Sequence, residues 1–320
     1  MGIDERRIGG YDWARIWKIV GRQIMGLGPA AVQNTLELWQ QGFFEKINSV
    51  IEIGSQEIHM GASDFRSLLE QACIPNWQSL DFPGSGAEDC SKHLGCSAEY
   101  LYRLLGVEKY DCIDINGEHG AIKHDLNYPL EGQALTAKYD LVTDHGSCEH
   151  VFNVAQTYQS MHEVCKTGGL IVISQNTWGG NGYFLFDRSF YESLAAANNY
   201  TIVHDSYVLS LRPKNTDQRS QEFHIPPVRS LLNAIDRREI SEMGVYVVLK
   251  KNNDQDFRFA YQGDYLAERE GHSGFNKLFD RDPPGLSYVP EYAERRPSHI
   301  PSSVLAKELL RRIVRKVTGK

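Results

Sequence analysis

The most regular feature of the chain is a series of short β-branched runs, each cut off by glycine or by an acid. Val50-Ile51-Glu52-Ile53 stops at Gly54, and Tyr110-Asp111-Cys112-Ile113-Asp114-Ile115 carries an acid near its end. Tyr139-Asp140-Leu141-Val142-Thr143 runs into Asp144-His145-Gly146, and Leu170-Ile171-Val172-Ile173-Ser174 follows Gly168-Gly169. Runs of this length and character predict strands buried on both faces, as in parallel sheets. A short strand is expected at Ala121-Ile122-Lys123, and late strands over 200–204 and 245–250. Between them the period changes. Phe65, Leu68, Leu69 and Ala72 share one helical face, and residues 98–105 read as a helix between Ser97 and Gly106. Val151, Val154, Tyr158, Met161 and Cys165 form the stripe of a helix running to Lys166, which Gly168-Gly169 terminate. Residues 184–197 predict a further helix. Near the N-terminus, Trp13, Ile16, Trp17 and Val20, then Thr35, Leu36, Leu38 and Trp39, predict two more, the second ended by Gly42. Strands alternating with helices predict a mostly parallel sheet with right-handed crossovers and helices on both faces.

Three regions fall outside that alternation. Residues 58–107 form an excursion whose middle carries Pro75, Pro83, Gly84, Ser85 and Gly86, an irregular loop. The polar stretch 211–228 reads as a mobile insertion. Residues 252–301 read as an extended arm without a core. The chain therefore divides into an N-terminal helical cap (1–45), an α/β domain (46–250) with the 58–107 insertion, and a C-terminal arm (251–320). The arm ends in a basic amphipathic helix. Leu305, Leu309, Ile313 and Val317 repeat every four residues, and Lys307, Arg311, Arg312, Arg315 and Lys316 cover the rest. Packing on the protein's own domain, docking on a partner and lying on an anionic membrane surface are three readings of it.

Charge narrows the classes of partner. The 320 residues carry 34 Lys and Arg against 41 Asp and Glu, a formal net charge of -7, which argues against a general nucleic-acid binder. MGIDERRIGG lacks the apolar core of a secretion signal, and Arg6 breaks the myristoylation pattern. Six cysteines in such a chain suggest free thiols in a reducing compartment, so the expected location is the cytoplasm. Cys90-x-x-His93-x-x-Cys96, with Cys73, has a spacing that zinc would accept, but no second tight ligand pair lies nearby, and no metal is expected.

The candidate chemistry sits at the strand ends. Glycine at position 54 permits positive φ and close approach of a ligand to the backbone, while Glu52 is a carboxylate inside an apolar strand, costly unless paired. Asp114, ending the second strand, can accept hydrogen bonds from ribose hydroxyls or be a solvated turn carboxylate. Beyond the fifth strand, Asn176, Trp178 and Tyr183 lie on a glycine-rich loop suited to an acceptor pocket.

The ordered set IEIGSQ, CIDIN, HDLN, YDLVTDHGSCEHVFN and CKTGGLIVIS resembles the class I S-adenosylmethionine-dependent methyltransferases. It is most similar to a bacterial-type branch with GSQ in the first motif and EHVFN after the fourth strand. The resemblance covers about residues 45–205 and implies a Rossmann-like fold and S-adenosyl-L-methionine as cofactor. It implies that Glu52, Gly54, Ser55 and Gln56 form the first motif, with Gly54 under the methionine part. Asp114 and Ile115 would meet the ribose, Asp125 and Leu126 would flank the adenine, and Asp144, His145 and Gly146 would line the floor near the methyl group. The chain departs from the common pattern at Gln56, where a second glycine is usual, and in the long gap from Gly54 to Asp114. Methyl transfer from a sulfonium is an in-line displacement that needs alignment, and a base if the acceptor is a hydroxyl. His145 is the base candidate, or else a histidine bonded to cofactor or backbone. The expected function is methyl transfer to an oxygen or nitrogen of a small molecule or sugar, in glycan or natural-product modification. An inactive cofactor-binding partner subunit is the alternative. A nicotinamide-dependent dehydrogenase is disfavoured because the first turn lacks G-x-G-x-x-G.

Overall fold

The computed structural model describes residues 26–75, 77, 94, 96–130, 135–211, 221–227 and 240–262, with 7–8, 11–12 and positions 302, 303, 306, 307, 309, 310, 313 and 314. Eight strands form one sheet: β1 (Ser49–Ile53), β2 (Lys109–Asp114), β3 (Ile122–Lys123), β4 (Tyr139–His145), β5 (Cys165–Trp178), β6 (Tyr200–Leu211), β7 (Gln221–Ile225) and β8 (Ile240–Lys251). Their spatial order is β7-β6-β8-β5-β4-β1-β2-β3. The five strands from β5 to β3 are parallel, while β8, β6 and β7 are each antiparallel to their neighbours. The expected Rossmann-like α/β architecture is thus present.

The two-residue period of the strands divides the core. Val50 and Leu141, Leu170, Val172, Tyr246 and Val248 face one cluster, and Ile51, Ile53, Val142, Ile171, Ile173, Val245 and Val247 face the other. Both faces are covered, which is why these strands read as unbroken apolar runs. Helices α1 (Pro29–Gln40), α2 (Ala62–Gln71) and α3 (Glu99–Leu104) bury Leu36, Phe65, Leu69 and Leu101 in the first cluster. Helices α4 (Val154–Val164) and α5 (Arg188–Asn198) bury Tyr158, Met161, Tyr191 and Leu194 in the second.

From β1 the chain winds outward to β2 and β3, then returns to β4 on the other side of β1. The sheet's winding therefore reverses between β1 and β4, and open α/β sheets bind ligands outside the carboxyl ends of the strands at such a point.

Three elements differ from the sequence reading. Asn176 and Trp178, expected on the loop beyond the fifth strand, lie in β5, whose pairing with β8 continues to Met243↔Trp178. The helix expected to reach Lys166 ends at Val164, because Cys165 is extended and pairs with Tyr139 of β4. Within the polar stretch 211–228, residues 221–225 form β7, which pairs with β6 from Tyr207↔Ile225 to Leu211↔Gln221. A neighbouring strand supplies the ladder there, and local composition does not report it. The helix expected at Trp13, Ile16, Trp17 and Val20, the residues Cys90 and His93 of the zinc-like spacing, and most of the arm lie outside the described residues. Cys96 is buried and Cys73 exposed, and no metal-binding group occurs among the described residues.

Candidate functional site

The turn after β1 is built at close quarters. Gly54 has φ +92, and a Cβ there would lie 2.2 Å from Ser147 Oγ and 2.8 Å from Gln56 Nε2, so both backbone conformation and space require glycine. The Ser55 amide and hydroxyl donate to Asp114 Oδ2 at 2.9 and 3.2 Å, and the Asn116 amide donates to Asp114 Oδ1 at 3.1 Å. Asp114 thus clamps the first turn to the end of β2. Gln56 is buried, and its Nε2 donates to Ser147 Oγ at 2.8 Å. The side chain that stands where a second glycine is usual bridges the two loops on either side of the winding reversal.

Beyond β2, Ile115 is exposed. Asp125 Oδ1 accepts from the Asn127 amide at 3.0 Å and from its Nδ2 at 2.7 Å, and these bonds hold the carboxyl below its ordinary range. Asn127 is tied to the segment after β4 by bonds from Asn153 N and Nδ2 at 2.8 and 3.0 Å. Leu126 is buried, while Tyr128 and Phe152, next to this pair, present exposed rings. Asp114, with acceptor capacity left on Oδ1, could hold a ribose hydroxyl, and Ile115, Tyr128 and Phe152 offer apolar faces for a base. An acceptor for a ribose hydroxyl and apolar faces for a base suit a nucleoside-bearing cofactor. The sequence reading did not single out Tyr128 or Phe152; the signal available was an aromatic within HDLNY and within EHVFN.

Two expected cofactor residues prove to be interior. Glu52 is fully buried and accepts from Tyr110 OH at 2.6 Å, while its other oxygen has no hydrogen bond and faces the hydroxyls of Tyr102 and Thr143. Burial pushes its carboxyl up to about 7, against the pull of these hydroxyls. Asp144 is also fully buried. Its Oδ1 accepts from the amides of Ser147 and Cys148 at 2.9 and 3.3 Å, and its Oδ2 accepts from Gln175 Nε2 at 2.7 Å. Burial raises this carboxyl to about 6. Both acids face protein on every side, Glu52 beneath the sheet and Asp144 inside the turn after β4.

Next to that turn, a cavity of about 490 Å³ opens between α1 and the ends of β4, β5, β6 and β8. His145, Gly146, Glu149 and Asn176 line it. His145 is 7% exposed, neither ring nitrogen has a hydrogen-bond partner, and burial pulls its imidazole down to about 4, leaving it neutral at pH 7. Glu149 accepts from the Asn176 amide and Nδ2 at 3.0 and 3.1 Å. Of the expected acceptor residues, Asn176 is a lining residue; Trp178 and Tyr183 are exposed and are not. Asn34, Gln175 and Glu242 also line the cavity and were not singled out in the sequence. Asn34 and Glu242 belong to α1 and β8, far from any motif.

No family model matches the chain, and no curated protein matches it. Solved structures to which the chain is similar include an S-adenosylmethionine-dependent methyltransferase from Archaeoglobus fulgidus, 11% identical over 75% of this chain and all of its own, with a TM-score of 0.38. Another from Thermotoga maritima is 10% identical over 75% of this chain and 95% of its own, at 0.35. The 1,6-didemethyltoxoflavin N1-methyltransferase of Burkholderia thailandensis, solved with bound 1,6-didemethyltoxoflavin and S-adenosylhomocysteine, is 12% identical over 70% of this chain and 79% of its own, at 0.34.

Proposed function

We propose that the protein is an S-adenosyl-L-methionine-dependent methyltransferase acting on an oxygen or nitrogen of a small molecule or sugar. The observation that carries this reading is the winding reversal between β1 and β4: Gly54, Asp114, Ile115 and Tyr128 follow the strands on the β1 side, and Phe152 and a polar cavity lined by His145 and Gly146 follow β4 on the other. When bound, the cofactor supplies an electrophilic methyl group on a sulfonium. The chain's residues then bind and orient. Asp114 and Ser55 hold the ribose, Ile115, Leu126, Tyr128 and Phe152 enclose the base, and Gly146 lets the backbone come close to the acceptor. Asn176 and Glu149 position the acceptor, and His145, unprotonated and without an internal partner, accepts a hydrogen bond or proton from it. Calorimetry with S-adenosylhomocysteine and with NAD tests the reading. The first binds and the second does not; binding of NAD alone, or of neither, removes it.

One feature favours the alternative of a cofactor-binding partner subunit without catalysis: Gln56 fills the space over Gly54 and is bonded to Ser147. Turnover with an acceptor separates the two.

We also propose that the C-terminal stretch meets an anionic lipid surface from the cytoplasmic side. Leu309, Leu310, Ile313 and Val314 are helical and exposed, and the intervening Arg311 and Arg312 supply charge complementary to such lipids. No helix among the described residues is long and apolar enough to cross a membrane. Sedimentation with phosphatidylserine vesicles is expected to pellet the protein at low salt and release it at high salt, each basic residue adding up to about 1 kcal/mol. Equal pelleting after deletion of residues 303–320, or none at low salt, leaves packing or a protein partner.

A further inference from the structure

The clamp between the first turn and the end of β2 uses up most of what Asp114 can offer a ligand. A carboxylate has about four lone-pair positions, shared equally between its oxygens. Oδ2 accepts from the Ser55 amide at 2.9 Å and from the Ser55 hydroxyl at 3.2 Å, so both of its positions are taken. Oδ1 accepts from the Asn116 amide at 3.1 Å, and one position on it remains. Asp114 is partly buried and Asn116, two residues on, is exposed, so the clamp lies at the open rim of the sheet.

The direction of the Ser55 hydroxyl follows from its neighbours. Asn116 Oδ1 accepts from the Glu118 amide at 2.8 Å, which fixes the orientation of that side-chain amide. Its Nδ2 then donates to Ser55 Oγ at 2.9 Å. The single hydroxyl proton has two acceptors in reach, Asp114 Oδ2 at 3.2 Å and Asn116 Oδ1 at 3.1 Å. A bond to an ionised acceptor is the stronger, so the proton is directed at Asp114. To hold two vicinal hydroxyls with one oxygen each, a carboxylate needs a free position on both oxygens, and here Oδ2 has none.

Resting on the methyltransferase reading, we infer that Ser55 sets how the ribose is recognised: by occupying Oδ2 it restricts Asp114 to one of the two vicinal hydroxyls of the cofactor. The other hydroxyl is left to water at the open rim.

Calorimetry on the full chain with S-adenosylhomocysteine and with its 2′-deoxy and 3′-deoxy forms reads this selectivity. Loss of one hydroxyl weakens binding about tenfold or more, and loss of the other changes it by less than about twofold. Ser55→Ala frees a position on Oδ2, and in that variant the second hydroxyl also counts, by about threefold or more. The unfolding transition of the variant verifies its fold, and the wild-type comparison stands without it. Similar losses for both hydroxyls in the wild-type chain, or a loss for neither, overturn the inference. So does a second hydroxyl that stays indifferent in folded Ser55→Ala. Adenosine and its two deoxy forms, followed by ligand-observed NMR, repeat the comparison without the methionine part. A one-sided preference among the adenosines with no binding of S-adenosylhomocysteine refutes the methyltransferase reading alone. Binding of S-adenosylhomocysteine with both hydroxyls weighted alike refutes this inference alone, and no binding in either series removes both.

Discussion

Asp114→Ala is expected to weaken S-adenosylhomocysteine binding at least tenfold in a protein that remains folded. The carboxylate does two things at the winding reversal. It accepts three hydrogen bonds from Ser55 and Asn116, which set the path of the first turn, and it keeps an acceptor site for a ribose hydroxyl. Hydrogen bonds to a charged group contribute about 1.5–3 kcal/mol each, and losing one such bond to the cofactor already accounts for a tenfold change. The side chain is only partly buried, so its removal leaves no large cavity. Asp114→Asn, which keeps the shape without the charge, should fall between wild type and alanine. Isothermal calorimetry measures the affinity and circular dichroism the fold. Full affinity in a folded Asp114→Ala protein would sink the ribose assignment.

Glu52→Gln is expected to stabilise the protein at pH 8 and to do little at pH 4.5. Glu52 titrates near 7 in the folded chain against an ordinary value of 4.5, because burial disfavours the charged form. Between those values the native state binds the proton and the unfolded state has lost it. Stability is therefore highest on the acid side and falls as pH rises through this window. The shift corresponds to about 3 kcal/mol at pH 8. Asp144, raised to about 6 from 3.8, acts with the same sign over a lower window and persists in the variant. Glutamine keeps the acceptor for Tyr110 OH and gives the Tyr102 and Thr143 hydroxyls a donor. Urea unfolding of both proteins at pH 4.5 and pH 8 is the measurement. Parallel stability curves would mean that Glu52 is not held protonated.

The parallel strands, the helices that cover them and the positive-φ turn at Gly54 were legible in the chain, because each is encoded by neighbouring residues. A run such as Val50-Ile51-Glu52-Ile53 can bury both faces only inside a sheet, and a glycine after it permits a turn that other residues resist. Other features were decided by pairing across long separations. The strand Gln221–Ile225 looks like polar loop and forms because β6 offers it a ladder. Cys165 continues a helical stripe in sequence yet is extended, since its pairing with Tyr139 outweighs local preference. Gln56 reads as a departure from a motif, and only Ser147, 91 residues on, makes it a bridge. Glu52 reads as a cofactor residue because it lies in the first motif, but which face of β1 it occupies, and Tyr110, Tyr102 and Thr143 around it, place it inside. The polar cavity depends most on tertiary structure, for Asn34, His145, Gln175 and Glu242 come from α1, β4, β5 and β8. Periodicity and turn chemistry act between residues a few positions apart and so are written locally. Burial, charge and the company of a side chain depend on which distant segments fold against it.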